Sequence, residues 1–354
     1  MTSRTSPRVP GPGATAPVPS TRPAATPDVG SQVRLGNVVR TAGITCVLLL
    51  VVLQGVAPDL VDRVAVPLAV VGVVLGIPHG AVDHLVPFWA GPRTVRPRAL
   101  ARVLAGYLVV LAGALACALA WPLPTVWAFL VASAFHFGRG EVVAAAELAG
   151  RRPPPVTGDV PAALAHGLVT VGLPLAAWPA VSLPLLDLVA PGFAGTPTGL
   201  LHAVLVASYV MVVLGVVRLV GAGRRIEAGE LVLLTVLFST VPAPAAFGVY
   251  FGAWHAARHA VRLVTLPRPD GRVDVRAGVA RCARAATVPT LAALVLLLVV
   301  SRSGSRTVLA AELITLVALT APHLAVVAAL DRRSRLRTGS AAPADGCAPA
   351  DGDR

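Results

Sequence analysis

Apolar residues occur along this chain in long stretches separated by short polar connectors. The stretches fall at 41–57, 64–86, 99–121, 123–147, 160–180, 198–220, 228–242, 244–265, 284–301 and 306–330. A run of about twenty apolar residues is what an α-helix needs to cross the ~30 Å hydrocarbon layer of a bilayer. The pattern therefore predicts an all-α polytopic membrane bundle of about ten transmembrane helices. The range is eight to ten, because the seventh stretch is short and only the proline-rich corner VPAPA joins it to the eighth.

Outside the apolar stretches the chain changes character. Residues 1–35 hold seven prolines among Thr, Ser, Ala, Gly and Arg, a composition too poor in apolar residues to pack. They are expected to form a disordered cytoplasmic arm. A signal peptide is not indicated, since the first apolar run starts only after Arg40 and lacks an A-x-A site. Residues 36–330 read as the transmembrane catalytic domain, and 331–354 as a disordered cytoplasmic tail.

Arginine sets the orientation. It clusters in alternate connectors, around Arg40, at 93–102, 151–152, 218–225, 268–284 and 332–337, while the connectors between hold few. By the positive-inside rule both termini face the cytoplasm of a multi-pass cell-membrane protein.

Composition agrees. Hydrophobic residues make up 55% of the 354, charged ones 13%, and mean hydropathy is +0.76, which excludes an ordinary soluble domain. A net charge of +13 would suit nucleic acid, but connector arginines follow membrane topology rather than forming a basic face, so no nucleic-acid partner is expected. All 30 basic residues are arginine. Without lysine the chain has neither an opsin's Schiff base nor a P-loop's phosphate ligand. The four cysteines are scattered with no C-x-x-C pair, so neither a disulfide framework nor a thiolate metal site is indicated.

Chemistry enters with histidine. His79 lies in LGIPHGAVDHLV, His136 in SAFHFGRGE, and His255 and His259 in YFGAWHAARH. Imidazole within a bilayer is costly and points to function. Counted from the outer end of each span, the four lie at depths of roughly 22, 20, 16 and 22 Å respectively. Helices presenting ring nitrogens at one depth can assemble a metal site. His255 and His259, at i and i+4, share a helix face.

A lone membrane histidine can instead simply hydrogen-bond a neighbouring helix. That reading suits His166 and His202, near span ends. His84 lies about 140° around the helix from His79 and does not readily share a metal with it. His323, at a depth of roughly 25 Å, is the best further member.

Asp83, at i+4 from His79, is a candidate to accept the second ring N–H of a ligating histidine. The alternative is a solvated helix-end aspartate, and Glu141 is a weaker candidate. Gly76, Gly80, Gly138, Gly140, Gly248 and Gly252 permit close helix approach. Phe135, Phe137, Tyr250, Phe251 and Trp254 gather beside the histidines, either as ordinary packing or as the lining for an apolar substrate.

GIPHGAVDH, SAFHFG and YFGAWHAARH, in that order, together with the late PHL, resemble the Brp/Blh family of bacterial and archaeal β-carotene 15,15′-dioxygenases across roughly 64–330. The resemblance implies oxidative cleavage of β-carotene by O2 at its central double bond, giving two all-trans-retinal molecules. It implies non-haem Fe(2+) held by His79, His136, His255 and His259, and a functional link to a microbial rhodopsin. The run RGE after HFG and the proline-rich arm depart from the family pattern.

Rival readings are a membrane di-iron oxygenase or desaturase, a histidine-lined metal or proton transporter, and a haem protein. The first wants dense histidine boxes, whereas these histidines are dispersed with no His-His pair. The second wants polar residues strung along the depth of several helices.

Overall fold

Each predicted apolar stretch coincides with a helical run in the computed structural model, which describes residues 29–89, 95–266, 273–301 and 306–339. The runs are α1 (Val29–Val56), α2 (Pro58–Ala81), α3 (Pro97–Ala120), α4 (Pro122–Leu148), α5 (Val160–Ala177), α6 (Thr198–Gly221) and α7 (Arg225–Thr240). Then come α8 (243–264), α9 (Val275–Ser301) and α10 (Arg306–Gly339). Among the described residues there is no strand. Proline opens α2, α3 and α4, where its fixed φ suits the first turn and its missing N–H has no helical partner to lose.

Six of these helices are long and apolar enough to cross a membrane: α1, α2, α3, α5, α6 and the 313–332 part of α10. Of the others, α7 has only 16 residues and α4 carries Arg139, Glu141 and Glu147. α8 is interrupted by the π-helical stretch Tyr250–Ala256. Both outer boundaries differ from the sequence reading. α1 begins at Val29, inside the expected arm, and α10 continues to Gly339, inside the expected tail. Hydropathy locates the apolar part of a helix, whereas hydrogen bonding carries the helix on into polar flanks. Residues 1–28 and 340–354 of the arm and tail lie outside the described residues.

The outer faces are aliphatic. Val109 on α3 is 71% exposed and Val288 on α9 is 74% exposed, a surface suited to lipid and not to water. The interior centres on Leu231, Leu234, Leu237 and Phe238 of α7, packed with Val47 of α1, Val169 of α5 and Tyr250 and Trp254 of α8.

One of the tight contacts lies between α2 and α8, where the backbones touch through glycine. A Cβ on Gly72 would sit 2.1 Å from the Gly248 carbonyl oxygen, and one on Gly248 would sit 2.3 Å from that of Leu68. Small residues allow such approach where no hydrophobic force between helices is available. This contact carries His79 and His255 to the same place.

Candidate metal centre

Five imidazoles from four helices meet in the interior. His79 lies near the end of α2, His136 in the middle of α4, His255 and His259 on α8, and His323 on α10. Ring centroids separate by 5.8 Å for His79–His255, 5.5 Å for His79–His259 and 5.3 Å for His136–His255. His323 stands 5.1 Å from His79, 5.2 Å from His136 and 6.1 Å from His259. With metal–nitrogen bonds of about 2.1 Å, two imidazoles on one ion place their centroids about 4.5–6.4 Å apart, depending on the angle between them. All six spacings fall in that range.

Among the described residues no group of three or more His, Cys, Asp or Glu side chains is arranged to hold a metal ion. Ring spacing, rather than finished coordination, is what the structure provides. An all-imidazole set suits zinc, copper, iron and nickel. Two further observations fit a metal. His79 Nδ1 donates to the Gly76 carbonyl, which leaves its Nε2 with the free lone pair. His323 Nε2 is buried with no hydrogen-bond partner among the described residues, and a buried orphan of this kind requires an explanation.

Local sequence explains the placement. His255 sits in the π-helical stretch, where the backbone widens by one residue per turn, a distortion frequent at functional sites. Four residues remain close to one turn in either helix type, so His255 and His259 still face His79 together.

Asp83 does not follow the expected pairing with His79. α2 ends at Ala81 and residues 82–85 form a turn, so the i, i+4 relation lapses. Its carboxylate instead accepts from His323 Nδ1 at 2.8 Å. The turn is anchored because Val82 and Val86 bury against Leu263 and Leu330.

The aromatic candidates divide. Phe251 and Phe137 lie against the rings, with centroids 5.5 Å from His79 and 4.8 Å from His255 respectively. Phe247 stacks on Phe251. Phe135 is 58% exposed and faces outward, because its neighbour His136 takes the inner face. Tyr250 and Trp254 are fully buried, and their polar ends are committed elsewhere.

They are committed to Glu141, whose weight the sequence reading understated. Tyr250 Oη donates to Glu141 Oε1 at 3.2 Å, Trp254 Nε1 to Oε2 at 3.0 Å, and Arg258 Nη1 to Oε2 at 2.9 Å. Arg258 continues to Glu230 Oε1 at 2.7 Å. Arg40 closes the chain on Glu230 through two hydrogen bonds of 2.7 and 2.9 Å. Two carboxylates and two guanidiniums thus link α4, α8, α7 and α1 beside the rings, and His255 Nδ1 lies 4.0 Å from Glu141 Oε1. Charged residues inside apolar stretches are rare enough to have flagged Glu141, Glu230 and Arg258.

A second buried group, Arg262 with Glu147 (3.1 Å) and Asp331 (2.6 Å), joins α8, α4 and α10. Between it and the rings lies a cavity of about 30 Å³, lined by His136, His255, His259, Glu141, Arg258 and Arg262 among others. Its size and polarity suit water and not a polyene.

Aliphatic outer faces and apolar helices long enough to cross a membrane, around a cluster of five imidazoles, define a helical protein of membrane type. Comparison with known sequences gives the particular family. The profile of the beta-carotene 15,15′-dioxygenase family matches residues 70–331. The probable beta-carotene 15,15′-dioxygenase Blh of Halobacterium salinarum is 33% identical over 302 residues, covering 75% of this chain and 84% of that protein. The chain therefore belongs to the beta-carotene 15,15′-dioxygenase family and is a carotenoid-cleaving dioxygenase. No solved structure matches it.

Proposed function

We propose that this protein cleaves β-carotene at the central 15,15′ double bond with O2, giving two molecules of all-trans-retinal. The site is a non-haem Fe(2+) held by His79, His136, His255 and His259 within a cell-membrane bundle of about ten spans, both termini cytoplasmic. The retinal would serve a microbial opsin. The observation that carries this reading is the meeting of the four histidine rings, from three helices, inside a member of this family.

The atoms balance without a further reagent. One C=C bond and one O=O bond break, two C=O bonds form, and each aldehyde keeps one oxygen. No outside reductant or net proton is needed. Ferrous iron, when bound, supplies the binding and activation of O2 next to the polyene. The chain's own residues do the rest.

His79 is turned by its Nδ1 contact to the Gly76 carbonyl, so Nε2 is its donor. Phe137, Phe247 and Phe251 give the rings an apolar border, which favours a hydrocarbon over water beside the reacting bond. The Glu141–Arg258 ion pair ties α4 to α8, the helices that carry His136, His255 and His259.

The test is expression in β-carotene-accumulating bacteria with pigments separated by chromatography. Wild type is expected to convert orange pigment to retinal, two molecules per carotene, and His255→Ala to leave it intact. Intact β-carotene with well-folded, iron-replete wild-type protein would reject the substrate assignment.

A further inference from the structure

The Asp83–His323 pair has no place in a four-histidine site, yet it lies against it. His323 touches three of the four proposed ligands, with centroids 5.1 Å from His79, 5.2 Å from His136 and 6.1 Å from His259. It arrives on a helix of its own, α10, whereas the other four come from α2, α4 and α8. Its two nitrogens are in unlike situations. Nδ1 is 2.8 Å from Asp83 Oδ2, and Asp83 is itself only 2% exposed. A carboxylate accepts, so Nδ1 carries the proton and donates. Nε2 is buried, has no hydrogen-bond partner among the described residues, and sits in the ring cluster.

Two explanations compete. In the first, His323 is an imidazolium paired with Asp83. Its second N–H would then point without an acceptor into the neighbouring rings, and an unmet buried donor costs about 1–3 kcal/mol. A fixed cation would also oppose the binding of a metal there. In the second, His323 is neutral and Nε2 presents a lone pair toward the cluster. This satisfies both nitrogens once a metal binds, and it reproduces the carboxylate–histidine–metal arrangement that fixes a ligand's tautomer and strengthens it as a donor.

Resting on the four-histidine reading above, we infer that His323 is a fifth protein donor to the same ion and that Asp83 is its positioning residue. The consequence is countable. Five protein donors would leave a six-coordinate ion a single position for an exogenous molecule, and the polyene would then be held by apolar side chains and not by the ion. The pair also makes the metal site close across α10, the last helix. A chain truncated before α10 would keep the four ligands and lose the fifth.

The experiment uses full-length protein in lipid nanodiscs, with Fe(II) affinity measured by chelator competition and the nitric-oxide adduct of the ferrous protein read by EPR. His323→Ala is expected to weaken Fe(II) binding about 10–100-fold and to change the rhombicity of the nitrosyl signal. Asp83→Asn is expected to weaken it about tenfold or more in the same direction. Free imidazole added to His323→Gly should restore the wild-type spectrum, which repair of a packing defect would not do. His202→Ala, on α6, should change nothing. If His323→Ala fails to fold, Asp83→Asn and the imidazole-supplemented His323→Gly carry the test. Wild-type affinity and spectrum in His323→Ala, together with iron loss in His79→Ala, would overturn the fifth donor and leave the four-histidine site standing. Unchanged iron binding in His79→Ala, His255→Ala and His323→Ala alike would remove the four-histidine reading and this inference with it.

Discussion

A carboxylate among apolar helices persists as a charge only where donors meet it, and Glu141 meets three: Tyr250, Trp254 and Arg258. Arg258 is equally committed, to Glu141 and to Glu230, with its guanidinium 4.0 Å over the Trp254 ring. Removing one member leaves a buried charge unmet, which costs about 3–5 kcal/mol. Glu141→Gln and Arg258→Met should each destabilise the folded protein by about that amount. The pair of substitutions together should cost less than their sum, because neither then strands the other. Thermal unfolding in detergent checks this, and strict additivity would show that the network contributes no coupling. Asp83 teaches a related lesson. Its spacing from His79 suggested a partner that the end of α2 at Ala81 denies it, and the turn redirects it to a histidine 240 residues away in sequence.

At the scale of elements, the site depends on how near α2 and α8 approach. Gly72 and Gly248 put backbone against backbone, and Gly76 gives its space to the Phe251 ring. A side chain at Gly248 must push the helices apart, moving His79 from His255 and His259 at once. Gly248→Val is therefore expected to lower folded yield in membranes sharply and to abolish cleavage. Gly113→Ala, on the open face of α3 with no neighbour within 4 Å, should leave both unchanged. Fluorescence-detected size exclusion and pigment analysis distinguish the two. Normal folding and activity in Gly248→Val would mean the contact is looser than drawn. A similar logic applies to α10, held by Arg262 through Glu147 and Asp331. Arg262→Met is expected to loosen this helix and to weaken Fe(II) binding through His323, as read by the same chelator competition.

For the whole molecule, the proposed orientation rests on arginine in alternate connectors, and it is checkable without knowing the chemistry. Fluorescent-protein fusions at either terminus are expected to glow, and alkaline-phosphatase fusions at the same points to stay inactive. The opposite result at one terminus would mean an odd number of crossings. Among the described residues six helices satisfy the length and hydropathy of a span outright. The short α7, the charged α4 and the π-helical α8 carry the buried ion pairs and three of the histidines, while His79 and His323 come from the clear spans α2 and α10.

Much of this protein was legible in one dimension, and the reason is physical. The bilayer demands runs of apolar residues, so hydropathy alone located ten helical stretches, and the order of the histidine motifs pointed to the family. Backbone periodicity likewise put His255 and His259 on one face. What lay beyond reach were choices between helices. Which carboxylate meets which histidine, why Phe135 turns outward while Phe137 turns in, and that Glu141 gathers Tyr250 and Trp254 all depend on helix approach and local irregularity. A π-helical stretch, a helix end at Ala81 and a glycine-lined contact shift side chains by a fraction of a turn. Only the tertiary structure decides such shifts, because packing across helices, and not the preference of any single segment, sets their energy.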